Sequence, residues 1–253
     1  VMQVNYCLNG RMGWVMQGGR SIYLGQGDVS FHMMDCCTVS GITLPLGHYS
    51  GIALFTDLNE LAQHLPETLN IPDENLPAWA EKFCRGGEVT VWPGAAEIAD
   101  MFALLPRVKS EYRQAYFKLK AQEILLFLAV YGVPHLKTAE SCEERYMEII
   151  KKIHAKITGS WQEHYTIEQL AREHSINASV LKKVFKMVYG KPMAQYMKEY
   201  RMRKAAALLV AGSSSVAEIA AAAGYGSQSK FAAAFKQVMQ LAPSEYRMRY
   251  GKK

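Results

Sequence analysis

Hydrophobic and polar positions alternate over the first part of the chain and follow a helical period over the rest. From Val1 to about Leu54, short apolar runs are separated by glycines, which is typical of short strands joined by tight turns. Gly27-Asp28 is predicted to form one such turn. From about Asp57, apolar residues recur at every third or fourth position, and this spacing predicts helices. The predicted fold class is therefore α+β.

The longest predicted helix of the first half runs from Ser110 to Tyr131 and stops at Gly132-Val-Pro134. Its apolar residues occupy more than the single stripe that packing on one small domain requires. We therefore expect a homodimer built on this helix, unless the preceding helices around 58–65 and 95–105 cover the second face. The apolar residues are Tyr112, Tyr116, Leu119, Ile124, Leu125, Phe127, Leu128 and Tyr131.

The pattern divides the chain into three parts. Residues 1–57 are predicted to form a strand-rich sensor portion, residues 58–140 a helical dimerisation segment, and residues 145–253 an all-α domain. About 55 residues of strand-like sequence are few for a closed barrel, so further strands before Val1 are expected.

The all-α part repeats itself. Leu170-Ala171 matches Ile219-Ala220 and Phe185-Lys186 matches Phe235-Lys236, with an offset of 49 residues before the turn and 50 after it. Tyr196 matches Tyr246 in the same way. Registered pairs of this kind indicate two copies of one structural unit.

The first copy has the pattern of a helix-turn-helix. Thr166 is predicted to cap a helix over 167–174 with Gln169 as its capping-box partner. A turn over 175–177 and a second helix over 178–189 follow, and Gly190 ends that helix.

The second copy follows the same order. Ser215 caps a helix over 216–223, a turn spans 224–226, and the second helix runs over about 228–240. Between the copies, 193–211 reads as one helix about 28 Å long. Such a helix would hold the two second helices roughly one DNA turn, about 34 Å, apart.

Charge strengthens this interpretation. Residues 1–142 have a net charge of −4 and residues 143–253 a net charge of +10. A basic half joined to an acidic half suggests a domain that binds a polyanion, attached to a domain with another task. The alternative is a helical bundle whose solvated face is rich in lysine.

The repeated motifs resemble the AraC/XylS family of bacterial transcription regulators over roughly residues 146–250. The resemblance implies a DNA-binding domain with two recognition helices in successive segments of the major groove. It also implies an N-terminal effector or dimerisation domain and makes RNA polymerase an expected partner. One departure is Ala233, where the family often has an arginine. The matching text is Leu170-Ala171, Ser179, Leu181, Phe185-Lys186 and Gly190 in the first unit, and Ile219-Ala220, Gly224-Tyr225, Ser229, Phe231, Phe235-Lys236 and Pro243-Ser-Glu-Tyr-Arg247 in the second.

The candidate contacts to double-stranded DNA differ in chemistry. Lys182 and Lys183 suit guanine edges or phosphates, whereas Gln228 suits adenine. Ala178 suits a thymine methyl. Outlying basic groups, including Arg201, Arg203 and Lys204, are expected to meet phosphate or water. The full predicted DNA-binding set is Ala178, Ser179, Lys182, Lys183, Lys186, Gln228, Ser229, Lys230 and Lys236.

The N-terminal part resembles the cupin-type β-barrel that precedes these units in many family members. Tyr6, Trp14, Tyr23 and His32 would line the barrel mouth and bind a small-molecule effector, or else form an ordinary packed interior. His32 and His48 do not have the spacing of a metal-binding cupin, so neither a metal nor a cofactor is expected.

Two other classes of function stay open. One is a cupin enzyme fused to the same DNA-binding unit, and the other is a DNA-repair methyl acceptor with Cys36-Cys37 as its reactive site. The five cysteines show no C-x-x-C spacing, which favours a reducing, cytoplasmic compartment. The chain has neither an 18-residue apolar run nor a leader at Val1, so a membrane partner is not expected. A non-enzymatic regulator of transcription is the preferred interpretation.

Overall fold

The computed structural model describes residues 1–35, 39–67, 69, 76, 78–84, 88–102, 104–133, 135–212 and 214–251. The chain folds into two compact units, Val1–Glu143 and Glu144–Lys253.

One long strand organises the N-terminal unit. β1 (Met2–Met16) pairs antiparallel with four other strands, using its first half for β3 and β5 and its second half for β2 and β4. β6 and β7 extend the sheet beyond β3, and β8 extends it beyond β2. The other strands are β2 (Arg20–Gly25), β3 (Val29–Met33), β4 (Val39–Thr43), β5 (Tyr49–Thr56), β6 (Thr90–Trp92), β7 (Lys137–Thr138) and β8 (Ser141–Glu143).

Glycines that suggested strand breaks lie inside β1. Gly10 has a φ of +80°, and a Cβ atom there would lie 2.2 Å from the backbone oxygen of His48. A side chain is therefore excluded where β1 changes from one set of partners to the other. The sheet curls as a result, but among the described residues no strand pairing closes it into a barrel. The predicted turn at Gly27-Asp28 is present between β2 and β3, with Gly27 at a φ of +83°.

Helices cover one face of this sheet. Val4, Tyr6 and Phe31 point from the strands into a core that α2, α3 and α4 complete. Residues 1–57 and 58–140 thus contribute to one hydrophobic core. The helices are α1 (Leu58–Gln63), α2 (Ala78–Cys84), α3 (Ala96–Met101) and α4 (Arg113–Tyr131), with 3-10 turns at Leu105–Arg107 and Ser110–Tyr112.

Helix α4 has two apolar faces with different surroundings. Ile124, Leu125 and Leu128 are buried in the core of their own unit. Leu119 and Val130, by contrast, are 65% and 63% exposed. The neighbouring elements of the chain therefore cover the first face, and the second face is left exposed.

The C-terminal unit is all helical, as predicted. The second helix of each repeat and the long helix between the repeats begin and end within one residue of the predicted positions. The helices are α5 (Glu144–Gly159), α6 (Ile167–Glu173), α7 (Ala178–Tyr189), α8 (Met193–Ala211), α9 (Val216–Ala222), α10 (Gln228–Met239) and α11 (Pro243–Tyr250). Among the described residues, none of the helices combines the length and the apolar composition that a membrane span requires.

Candidate nucleic-acid interface

The first helix-turn-helix is built from α6 and α7. The Thr166 hydroxyl accepts a hydrogen bond from Gln169 N at 3.1 Å, and the Gln169 side chain accepts one from Thr166 N at 2.9 Å. This reciprocal pair satisfies two backbone donors that the start of α6 would otherwise leave open. The predicted capping box is confirmed.

Helix α7 is fixed at both ends. The Asn177 side chain accepts hydrogen bonds from Ser179 N at 2.8 Å and from the Ser179 hydroxyl at 2.6 Å. Gly190 ends the helix at a φ of +79°, a left-handed conformation that favours glycine. Ser179 is exposed, but its hydroxyl already donates a hydrogen bond to the N-cap side chain. Ala178 is half-buried.

The two faces of α7 divide by chemistry. Leu181, Val184 and Phe185 are buried against the neighbouring helices, whereas Lys182, Lys183 and Lys186 are exposed. Lys182 Nζ lies 3.9 Å from a Glu168 carboxylate oxygen, and both side chains are more than half exposed. An exposed pair of this kind contributes little to stability, so it opposes a move of Lys182 toward a phosphate or base only weakly.

The second helix-turn-helix repeats this design with different outer residues. Ser215 and Glu218 form the capping box of α9, and the Ser227 hydroxyl accepts a hydrogen bond from Lys230 N at the start of α10. Phe231 and Phe235 are fully buried in α10. The exposed face of α10 carries Gln228, Ser229, Lys230, Ala233, Lys236 and Gln237.

The repeat extends to the aromatic core. Phe185 and Tyr196 meet edge to face with ring centroids 5.6 Å apart, and Phe235 and Tyr246 meet in the same way at 5.4 Å. The registered Phe and Tyr residues of the two copies therefore make equivalent contacts. Such contacts add to the burial that holds the second helix of each unit in place.

Arg201 corrects one expectation. The sequence predicts that Arg201, Arg203 and Lys204 meet phosphate or water, but Arg201 is only 8% exposed. Its guanidinium donates hydrogen bonds to the backbone oxygens of Trp161 at 2.7 Å and Glu163 at 2.6 Å. Burial lowers its pKa. The sequence contains one indication of this burial, because Arg201 lies four residues after Met197 and therefore on the same, buried face of α8.

The predicted effector residues lie in different places. Trp14 and His32 are buried close together, with ring centroids 6.1 Å apart. Tyr6 stacks on Phe102 in the core beneath the helices. Tyr23 is packed over Gly13. The strand alternation thus brings Trp14 and His32 together but not the other two, and effector binding by any of them stays a prediction.

The described cysteines have the opposite of a reactive environment. Burial raises the pKa of the Cys7 and Cys142 thiols to about 11 each, and Cys84 is also buried. A raised pKa suppresses the thiolate, which is the nucleophilic form. Cys36-Cys37, the candidate methyl acceptor, lies outside the described residues. Within the described ranges, no group of three or more His, Cys, Asp or Glu side chains is placed to hold a metal ion.

Comparison with known proteins supports the interpretation of the C-terminal half. Residues 170–249 match the family model "Helix-turn-helix domain". The chain is 29% identical over 119 residues to the HTH-type transcriptional activator RhaR of Mannheimia succiniciproducens, covering 46% of this chain and 43% of that protein. It is 31% identical over 121 residues to a putative AraC-like transcription regulator of Streptomyces lividans, covering 48% of this chain and 35% of that protein.

The chain thus spans less than half the length of each of these two relatives. Among solved structures, it is similar to the C-terminal domain of AraT, a response regulator from Geobacillus stearothermophilus. That match has 27% identity and a TM-score of 0.40, and it covers 42% of this chain and 88% of the AraT domain.

Proposed function

We propose that this chain is a member of the AraC/XylS family of regulators, and that it binds specific double-stranded DNA sites and regulates transcription from them. The observation that carries the proposal is the duplicated helix-turn-helix, in which capped, core-anchored helices α7 and α10 each present an exposed polar face. An exposed helix of this kind is what the major groove admits.

The two helices contribute different contacts in this proposal. Lys182 and Lys183 are the base or phosphate partners from α7, and Gln228, Ser229 and Lys230 are those from α10. Lys186 and Lys236 contact phosphate and set the register. Activation at such a site would require RNA polymerase as a further partner.

Selection of bound duplexes from a random library tests this function, followed by titration of the recovered site at several salt concentrations. If residues 143–253, with their net charge of +10, neutralise some 5–9 phosphates, the log–log slope should be roughly −4 to −8. Recovery of one defined sequence with a steep slope supports the proposal. A nearly flat slope, or a pool without any shared sequence, contradicts it.

We further propose that the exposed face of α4 pairs with a second copy of the chain. Leu119, Leu126 and Val130 of α4 recur at intervals of seven and four residues and are all more than 40% exposed. The equally exposed Tyr112 lies seven residues before Leu119, in the 3-10 turn that precedes the helix. This spacing is that of the apolar seam of a two-helix coiled coil. Two copies would place two double-reading units on one operator.

The structure changes which variants test the dimer. Leu125→Glu and Leu128→Glu would disrupt the unit's own core, because both side chains are buried there. Leu119→Glu and Leu126→Glu instead change only the exposed face. Sedimentation at micromolar concentration should show a dimer for the unchanged chain and a monomer for these variants, whereas the exposed neighbour Lys118→Glu should stay dimeric. A monomeric unchanged chain, on or off DNA, contradicts the proposal.

A small-molecule effector bound in a cupin-like N-terminal unit completes the proposal. His32 supports it, because its Nδ1 is buried and has no hydrogen-bond partner among the described residues. A buried polar atom in that state is costly, and a ligand beside Trp14 would satisfy it. His32→Phe should abolish any change in DNA affinity caused by added metabolites. Tyr23→Phe, on the other side of the sheet, should not.

A further inference from the structure

A short segment before the first helix-turn-helix lies against the second one. Residues 160–165, here called the strap, connect α5 to the N-cap of α6. By its position in the sequence, the strap thus belongs to the first helix-turn-helix unit. The Trp161 side chain nevertheless packs against the core that Phe231 and Phe235 form in the second unit.

The middle of the strap is held by the helix that links the two units. Arg201 of α8 donates to Trp161 O at 2.7 Å and to Glu163 O at 2.6 Å. Hydrogen bonds from a charged donor are stronger than neutral ones, and a buried guanidinium is costly without them. One side chain therefore fixes two points of the strap.

The far end of the strap contacts the turn of the second helix-turn-helix. His164 Nε2 lies 3.1 Å from Gly224 O and donates to it. A Cβ atom on Gly224 would lie 2.3 Å from Gln162 O, so this turn approaches the strap too closely for any side chain. The approach explains why glycine stands here beyond its φ of +78°.

Packing alone does not hold the strap. A cleft of about 430 Å³ lies beside it, lined on the other side by Ile157, Met193 and Met197. Because apolar contact is interrupted there, the polar contacts of Arg201 and His164 carry more of the attachment.

We infer that the strap sets the distance and rotation between the two recognition helices, with Arg201 as the positioning residue, and thereby fixes the spacing of the two DNA elements that the protein accepts. This inference rests on the proposed function. Helix α8 joins the two helix-turn-helix units along the chain, and the strap adds a second connection between them that resists twisting about the axis of α8.

The experiment uses the full chain and the duplex recovered by selection with the unchanged protein. Versions of that duplex carry one base pair inserted or deleted between the two elements. For a rigid pair of helices, the change withdraws one helix and costs about a hundredfold in affinity, the low end of what two linked modules gain by engaging together. Arg201→Met should reduce this penalty to a few-fold, since the second helix can then follow its element.

Arg203→Met is the matched control, because Arg203 lies on the same helix with its side chain 58% exposed. It should lower affinity for every spacing alike and keep the spacing penalty. His164→Ala removes the exposed contact of the strap with the second unit and leaves no buried cavity. Like Arg201→Met, it should reduce the spacing penalty. It thus keeps the test decisive if circular dichroism shows that Arg201→Met is unfolded.

The outcomes separate the two proposals. If the unchanged chain recovers no sequence, the proposed function fails. If it recovers a site but folded Arg201→Met and His164→Ala keep the full spacing penalty, only the role of the strap is overturned. The same conclusion follows if the unchanged chain already tolerates inserted base pairs.

Discussion

The two helix-turn-helix units have equivalent hydrophobic cores, and they differ on their outer faces. In both, a capping box starts the first helix, a buried phenylalanine anchors the second, and a tyrosine further along closes the core at a nearly identical distance. The outer face of α7, however, carries three lysines, whereas that of α10 carries Lys230 and Lys236 around Ala233. Residues that hold the second helix of each unit in place and residues that form its exposed face are therefore separable in this fold.

This difference indicates a division of labour. Lysine contributes charge and guanine or phosphate contacts, whereas alanine contributes only shape and an apolar surface. We expect α7 to supply most of the binding free energy and α10 to supply selectivity at apolar base edges. Three changes test this comparison, in order of decreasing effect.

The largest effect should come from the shared core. Phe185→Ala and Phe235→Ala should each lower the free energy of unfolding by about 3–5 kcal/mol, because both side chains are fully buried. Chemical denaturation, followed through the unfolding transition of the C-terminal unit, measures this loss. The adjacent exposed Lys186→Ala and Lys236→Ala serve as controls. A large inequality between the two phenylalanines would show that the units are not equivalent inside.

The second largest effect should be on the affinity for the selected duplex, and this effect should differ between the two units. Lys182→Ala or Lys183→Ala should cost about 1–3 kcal/mol if a base contact is lost, and Lys230→Ala should cost less. Titration against the selected duplex and a random duplex separates base contacts from phosphate contacts, since only a base contact gives unequal losses. If Lys230→Ala costs more than both changes in α7, the division of labour is reversed.

The smallest effect should reveal the apolar surface of α10. Replacing thymine by uracil in the element read by α10 removes a methyl group near Ala233 and should cost about 0.8 kcal/mol for each methyl in contact. The same replacement in the element read by α7 should cost less, apart from any methyl that Ala178 meets. Competition binding with the two substituted duplexes measures the difference. Equal costs would indicate that Ala233 faces no base.

Local signals made most of the C-terminal unit predictable from sequence. The start of α7 and its end at Gly190 follow from short-range rules for caps and left-handed glycines, and both are observed as predicted. The role of Arg201 was not predictable in this way. Its partners are backbone oxygens 38 and 40 residues away, which leave no trace in local composition.

The N-terminal unit was harder for a related reason. Gly10 and Gly13 suggested turns between short strands, yet one permits a bend within β1 and the other lies under the ring of Tyr23. Glycine has the same local preference in both situations, so only the tertiary contacts distinguish them. Likewise, the predicted apolar set of α4 contained its buried residues but omitted the exposed Leu126 and Val130. Which face of the helix each residue occupies depends on the neighbouring helices.

The pairing of β1 has a consequence for how the N-terminal unit assembles. Its second half meets β2 across a short hairpin, with Met16 opposite Arg20, whereas its first half pairs Met2 with Thr56. Contacts between residues so distant along the chain form slowly, because a long loop must close first. During synthesis, the first half of β1 therefore stays without β5 until more than fifty residues have emerged. The edge it exposes in that interval is open to pairing with another strand.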